Sequence, residues 1–159
     1  MAPKIHFGQE AFLLHLNETH LLIGNGPSFM DVEIAAKIRP DGTEEKKTIN
    51  NVIINKKKAG IILQLPDDKI SYITSEVPTK EIKEYQADVL ILTKPQEKLI
   101  TKLQPKLTIL MNSNVYAARE LNKKTGSQII SVKHGTNIDF SDYNAIAKQK
   151  TLSKFTEAK

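Results

Sequence analysis

The chain contains no cysteine, which excludes disulfide frameworks, thiolate zinc sites, cysteine nucleophiles and iron–sulfur ligation together. Any chemistry has to come from oxygen and nitrogen. No apolar run approaches the roughly 20 residues that span a bilayer, and the opening Met1-Ala2-Pro3-Lys4-Ile5-His6 lacks an apolar signal segment. A cytoplasmic location without a membrane partner is therefore expected. Glycine and proline number only 7 each, unlike a fibrous or disordered chain, and no internal repeat or low-complexity tract occurs. The rest is ordinary: 159 residues, 40% hydrophobic and 26% charged, are enough to bury a core without staples.

The formal charge of +5 and a pI near 9.3 favour anionic partners, nucleic acid among them, although the excess is modest. Lys46-Lys47 and Lys56-Lys57-Lys58 are the densest basic spots. They read as turns at strand ends, where charge is easily solvated. Lys56, Lys57 and Lys58 are also the residues that a nucleic-acid-binding alternative would use.

Along the chain, the first half reads as antiparallel strands joined by tight turns. Ala11 to Leu16 and His20 to Ile23 flank Asn17-Glu18, a two-residue hairpin turn. Gly24-Asn25-Gly26-Pro27 breaks the strand, Val32 to Ile38 and Thr48 to Ile54 are apolar or β-branched stretches, and Ala59 to Leu65 and Lys69 to Thr74 flank Pro66-Asp67-Asp68. The second half changes rhythm. Buried strands at Asp88 to Leu92, Leu107 to Met111 and Gln128 to Val132 alternate with helices, one opened by Val77-Pro78-Thr79 and running to about Tyr85, one from Pro95 to Leu103, and one from Asn114, a capping residue, to Gly126, a C′ glycine. Such alternation implies parallel strands with helices on a sheet face.

Several stretches resemble the archaeal and bacterial branch of the metallo-β-lactamase fold that handles phosphodiesters and related esters. Ala11 to Pro27 resembles its opening hairpin and acidic turn, Asp68 to Ser75 its strand bearing a bridging aspartate, and Ala87 to Thr93, Gln104 to Met111 and Tyr116 to Thr136 its closing strand–helix repeats. The resemblance implies an α/β fold: a shortened metallo-β-lactamase-like sandwich, antiparallel in its first half and alternating in its second. The family's two-metal hydrolysis needs converging histidines and carboxylates on ions about 3.5–4 Å apart. Set against that pattern, the chain departs at every ligand position. The His-x-His-x-Asp-His segment is absent, and Ser28 to Asn51 in its place holds no histidine. Gly24-Asn25 stands for the acidic residue of the opening turn, Lys56 to Lys58 for a histidine, Ser75 for the bridging aspartate, with Glu76 one residue away, and Asn112 for the last histidine. A protonated lysine has no lone pair to give a metal. The resemblance therefore implies a pseudoenzyme with no catalytic residue, no metal ligand and no cofactor.

Of the four histidines, His15 and His20 face each other across the hairpin, with Cβ atoms about 4.5–5.5 Å apart. That geometry can chelate a metal, and with Glu76 it is the basis of a third alternative, a residual metal-dependent phosphodiesterase. Without a third ligand near in sequence, a solvated cross-strand pair is the favoured reading. His6 and His134 read as surface residues, and no nucleophile-elbow motif supports Ser-His-Asp hydrolysis.

The C-terminal segment is lysine-rich, and Gln149-Lys-Thr-Leu152-Ser-Lys-Phe155 resembles the peptide by which replication and repair proteins dock on the sliding clamp PCNA. Leu152 and Phe155, three residues apart, share one face of a helical turn, and Gln149 lies one turn earlier. Thr156 stands where a second aromatic or large apolar residue is usual, which weakens the match. The competing reading packs Leu152 and Phe155 onto the protein's own sheet. The expected layout is a degenerate domain over residues 1–140 and a basic tail over 141–159. The expected role is an adaptor in DNA replication or repair that binds the clamp or another protein. Trimming the metal-binding portion would uncover apolar surface, so a homodimer is a further expectation.

Overall fold

A computed structural model of the protein describes residues 3–27 and 30–140. Gln149, Leu152 and Phe155 lie outside the described residues. The chain forms two compact units, one from the segment ending at Arg39 together with the segment from Lys133 onward, the other from Pro40–Val132. No helix among the described residues is long and apolar enough to cross a membrane.

The first unit is a five-stranded sheet of β1 (Lys4–Phe7), β2 (Ala11–Leu16), β3 (Thr19–Gly24), β4 (Ala36–Ile38) and the last strand, β12 (Asn137–Asp139), in the order β12-β1-β2-β3-β4. Its centre is the β2–β3 hairpin, closed by Asn17 at φ 57°, a conformation asparagine tolerates better than most residues. Alternation then sorts the side chains. Ala11, Leu13 and Leu22 share one face and are covered by Val32 and Ile34. The stretch from Val32 to Ile38 is thus mostly cover, and only Ala36–Ile38 is strand. That strand pairs parallel with β3, through Leu21↔Ala36 and Ile23↔Ile38, so the first half is not purely antiparallel. Val32 and Ile34, between β3 and β4, lie on the sheet face.

The second unit is a seven-stranded sheet ordered β11-β10-β9-β8-β7-β6-β5. Strands β5 (Glu45–Ile49), β6 (Val52–Lys56), β7 (Gly60–Gln64) and β8 (Lys69–Ile73) pair antiparallel in succession. The β-branched run Thr48 to Ile54 is not one strand, because Asn50 and Asn51 are both left-handed, at φ 45° and 72°. Positive φ at both central residues is the signature of a two-residue hairpin turn. After β8 the pairing becomes parallel through β9 (Val89–Leu92), β10 (Leu107–Met111) and β11 (Ile129–Val132). The connections are a 3-10 helix at Thr79–Tyr85 and two helices, α1 (Glu97–Leu103) and α2 (Val115–Thr125).

Those helices cover one sheet face. Ile62, Ile73, Leu90, Leu92, Leu110 and Ile129 point from the strands into a buried cluster with Leu99, Ile100, Leu103 and Leu121 from the helices. Each such side chain contributes about 1.5–3 kcal/mol when fully buried, which makes this layer a large source of the unit's stability. The Asn114 side chain caps α2 by accepting from the Ala117 N–H at 2.9 Å, and Gly126 ends it at φ 74°. Helix α1 ends on Gln104, left-handed at φ 45° where glycine is commoner. The 3-10 helix is tied down by polar contacts: the Tyr85 hydroxyl accepts from the Ala59 N–H at 3.3 Å, and the Ser71 hydroxyl donates to the Tyr85 carbonyl at 2.8 Å.

Candidate functional site

Positions that the resemblance assigns to metal ligands occur in both units. In the first unit, Gly24 ends β3 at φ +125°, a conformation that side chains rarely adopt. A Cβ there would stand 2.5 Å from the Glu10 carbonyl oxygen and 2.6 Å from Ala11 Cα. The Asn25 N–H donates to the same Glu10 carbonyl at 3.0 Å. The turn that would carry an acidic ligand is thus closed down on the β1–β2 turn, with no room for a side chain at Gly24. Beside it lies a cavity of about 140 Å³ lined by Gln9, Glu10, Ala11, Gly26, Pro27 and His134. Sequence reasoning did not group these residues. The pairing of β1 with both β2 and β12 brings their turns to one end of the sheet.

In the second unit, Ser75 follows β8, Thr93 follows β9 and Asn112 follows β10, all at the carboxyl ends of parallel strands. Ligands favour such ends in open α/β sheets. The Gln96 side chain holds the loop after β8, donating to the Ser75 carbonyl at 3.0 Å and accepting from the Val77 N–H at 3.4 Å. Glu76 is exposed and lines a groove of about 250 Å³ with Thr79, Ile82 and Lys98, whose ammonium donates to the Thr79 hydroxyl at 3.1 Å.

The lysine triplet is divided. Lys56 is buried, its ammonium 3.0 Å from the Asp41 carboxylate. That hydrogen bond, with others from Thr43, holds the Asp41 carboxyl down at about 2. Lys57, just past the end of β6, pairs with Glu84 at 3.1 Å, while Lys58 is exposed. Lys46 and Lys47 lie within β5, an edge strand, and not in a turn. Lysine on an edge discourages further strand pairing.

The histidines take positions close to those expected. His15 pairs with His20 in register, their ring centroids 4.2 Å apart and the planes 19° from parallel. Desolvation, then the neighbouring charges of His15 and His6, hold the His20 imidazole below its usual range. The His6 ring is hydrogen-bonded through Nδ1 to the Asn137 side chain at 2.7 Å. Among the described residues, no group of three or more histidine, aspartate or glutamate side chains converges as a metal would require.

No family model matches the chain, and no curated protein sequence does. Solved structures do match. YhfI from Bacillus subtilis, a metallo-β-lactamase fold protein, superposes with a TM-score of 0.62 at 9% identity, covering 87% of this chain and 100% of that one. Igni18, a metallo hydrolase from the hyperthermophilic archaeon Ignicoccus hospitalis, gives 0.62 at 8% identity over 87% and 98%. A proposed zinc-dependent hydrolase of the metallo-β-lactamase superfamily from Thermotoga maritima gives 0.58 at 13% identity over 82% and 99%. At such identities the likeness establishes the fold alone: a sheet-rich α/β chain of shortened metallo-β-lactamase type. The metal centre implied by these neighbours does not fit the donor set present. Gly24, the lysines at 56–58, Ser75 and Asn112 supply neither imidazole nor carboxylate, and Glu76 joins no converging group.

Proposed function

We propose that this chain is a non-catalytic member of the fold that acts by binding a partner. The observation that carries the reading is the filling of Gly24: the backbone closes over the place of an acidic ligand, to within 2.5 Å of a would-be Cβ. At Gly24 the loss is then a feature of the main chain, whereas at Asn25, Ser75 and Asn112 it lies in the side chains present. Two-metal hydrolysis depends on ligands that fix both ions and activate water, and this donor set has none to offer. In this reading the domain is a scaffold over residues 1–140, and the tail over 141–159 carries the contact.

The partner in this proposal is the sliding clamp, engaged through Gln149, Leu152 and Phe155 in an adaptor role in replication or repair. Support comes from the spacing of those residues, which sets an aliphatic and an aromatic side chain on one helical face. The test is clamp binding by the full chain and by Phe155→Ala, measured by calorimetry. Binding by the full chain that Phe155→Ala removes supports the proposal, and no binding by the full chain ends it. A nucleic-acid reading through Lys56 to Lys58 draws less support, since Lys56 and Lys57 already pair with Asp41 and Glu84. It requires salt-sensitive binding that survives removal of the tail.

A further inference from the structure

The β2–β3 hairpin carries two imidazoles that the proposed function does not use. The His20 carbonyl accepts from Ala35, on the β4 side, so the backbone of His20 points away from β2. His15 and His20 therefore form a non-hydrogen-bonded cross-strand pair, the kind in which side chains stand closest. Their rings stack at 4.2 Å, and both residues are only partly buried. On the same face, Lys4 stands opposite His15 in register, and its ammonium lies 4.0 Å from the Asp139 carboxylate. That ion pair partly compensates the Lys4 charge, and Lys37, in register with Leu22, is a further cation on this face.

The geometry points to a two-imidazole site for a borderline divalent transition ion, copper(II), nickel(II) or zinc, bound by His15 and His20 with solvent in the remaining positions. Neutral imidazole is the commonest protein ligand for such ions. Bonds of about 2.0–2.1 Å to one ion bring two nitrogens to roughly 3 Å apart. The rings, 4.2 Å apart, reach that spacing when both turn about their side-chain torsions until their lone pairs converge, at the partly exposed hairpin end of the face that Val32 and Ile34 cover. No carboxylate joins the pair in a group of three among the described residues. Magnesium and calcium, which require oxygen donors, are therefore excluded, and copper should bind more tightly than nickel or zinc. With two protein ligands the expected affinity is micromolar. This inference is independent of the clamp proposal and assigns no hydrolysis to the ion.

The test titrates untagged full-length protein with copper(II) and zinc at neutral pH, by calorimetry and, for copper, by electron paramagnetic resonance for coupling to imidazole nitrogen. One ion per chain should bind, magnesium should not, and affinity should fall by at least about tenfold in His15→Ala and in His20→Ala. His20→Phe keeps a stacked ring but has no lone pair, so it should lose the ion while retaining the parent circular dichroism. His134→Ala should bind as the parent does. Absence of binding below millimolar metal, or binding that survives both His15→Ala and His20→Phe, would overturn the assignment.

Discussion

Gly24→Ala is the smallest change that asks whether an acidic ligand could still be accommodated in the opening turn. The position sits at φ +125°, where a non-glycine residue costs about 1–3 kcal/mol in backbone strain. A new Cβ would also fall 2.5 and 2.6 Å from the backbone atoms of Glu10 and Ala11. Backbone cannot swing aside as a flexible side chain does, and overpacking of this kind adds about 1–3 kcal/mol. The sum has a floor near 2 kcal/mol, which for a chain of this size lowers Tm by roughly 4–8 °C. Gly24→Asp, which restores the acid itself, should cost at least as much. Asn25 is exposed, so Asn25→Asp should stay within about 0.5 kcal/mol of the parent. Denaturant titration followed by circular dichroism reads all three. A loss below about 1 kcal/mol for Gly24→Ala would refute the argument that the main chain has closed the ligand position.

Thr108→Val should stabilise the protein. The Thr108 hydroxyl is fully buried without a hydrogen-bond partner, a condition that costs about 1–3 kcal/mol; a rise in the denaturation midpoint at constant m checks it, and destabilisation would show that the hydroxyl is satisfied. Stability should also fall as pH drops below 6.5. The His20 imidazole is held below 6.5 in the folded chain by burial, His15 and His6, so the unfolded chain takes up its proton first and acid favours unfolding through that window. His20→Phe should flatten this part of the stability–pH curve, and an unchanged curve would remove His20 as its source.

The fold was legible where one residue or one period carried the signal. Asn17 at a hairpin turn, Asn114 as a cap and Gly126 as a stop are local chemistry, and the apolar strands at 89–92 and 107–111 announce themselves by burial on both faces. The Asn50-Asn51 turn was missed because the β-branched residues around it read as one strand, although both asparagines tolerate a left-handed backbone. Parallel pairing of β3 with β4 and the division of strands between two sheets are decisions between distant segments, and no local pattern encodes them. Of the candidate site, the absent imidazoles and carboxylates could be read directly. The crowding at Gly24 could not, because it depends on where the Glu10–Ala11 backbone passes.

Metal content and hydrolysis, measured together on the untagged full-length protein carrying His15→Ala and His20→Phe, test the central claim most directly. These changes remove the hairpin imidazoles, so any tightly held ion would report a centre elsewhere. The account predicts no stoichiometric zinc, manganese or iron, and no cleavage of a nitrophenyl phosphodiester above the buffer rate when those ions are supplied. Two tightly bound ions per chain, with turnover that a chelator abolishes and added metal restores, would contradict it.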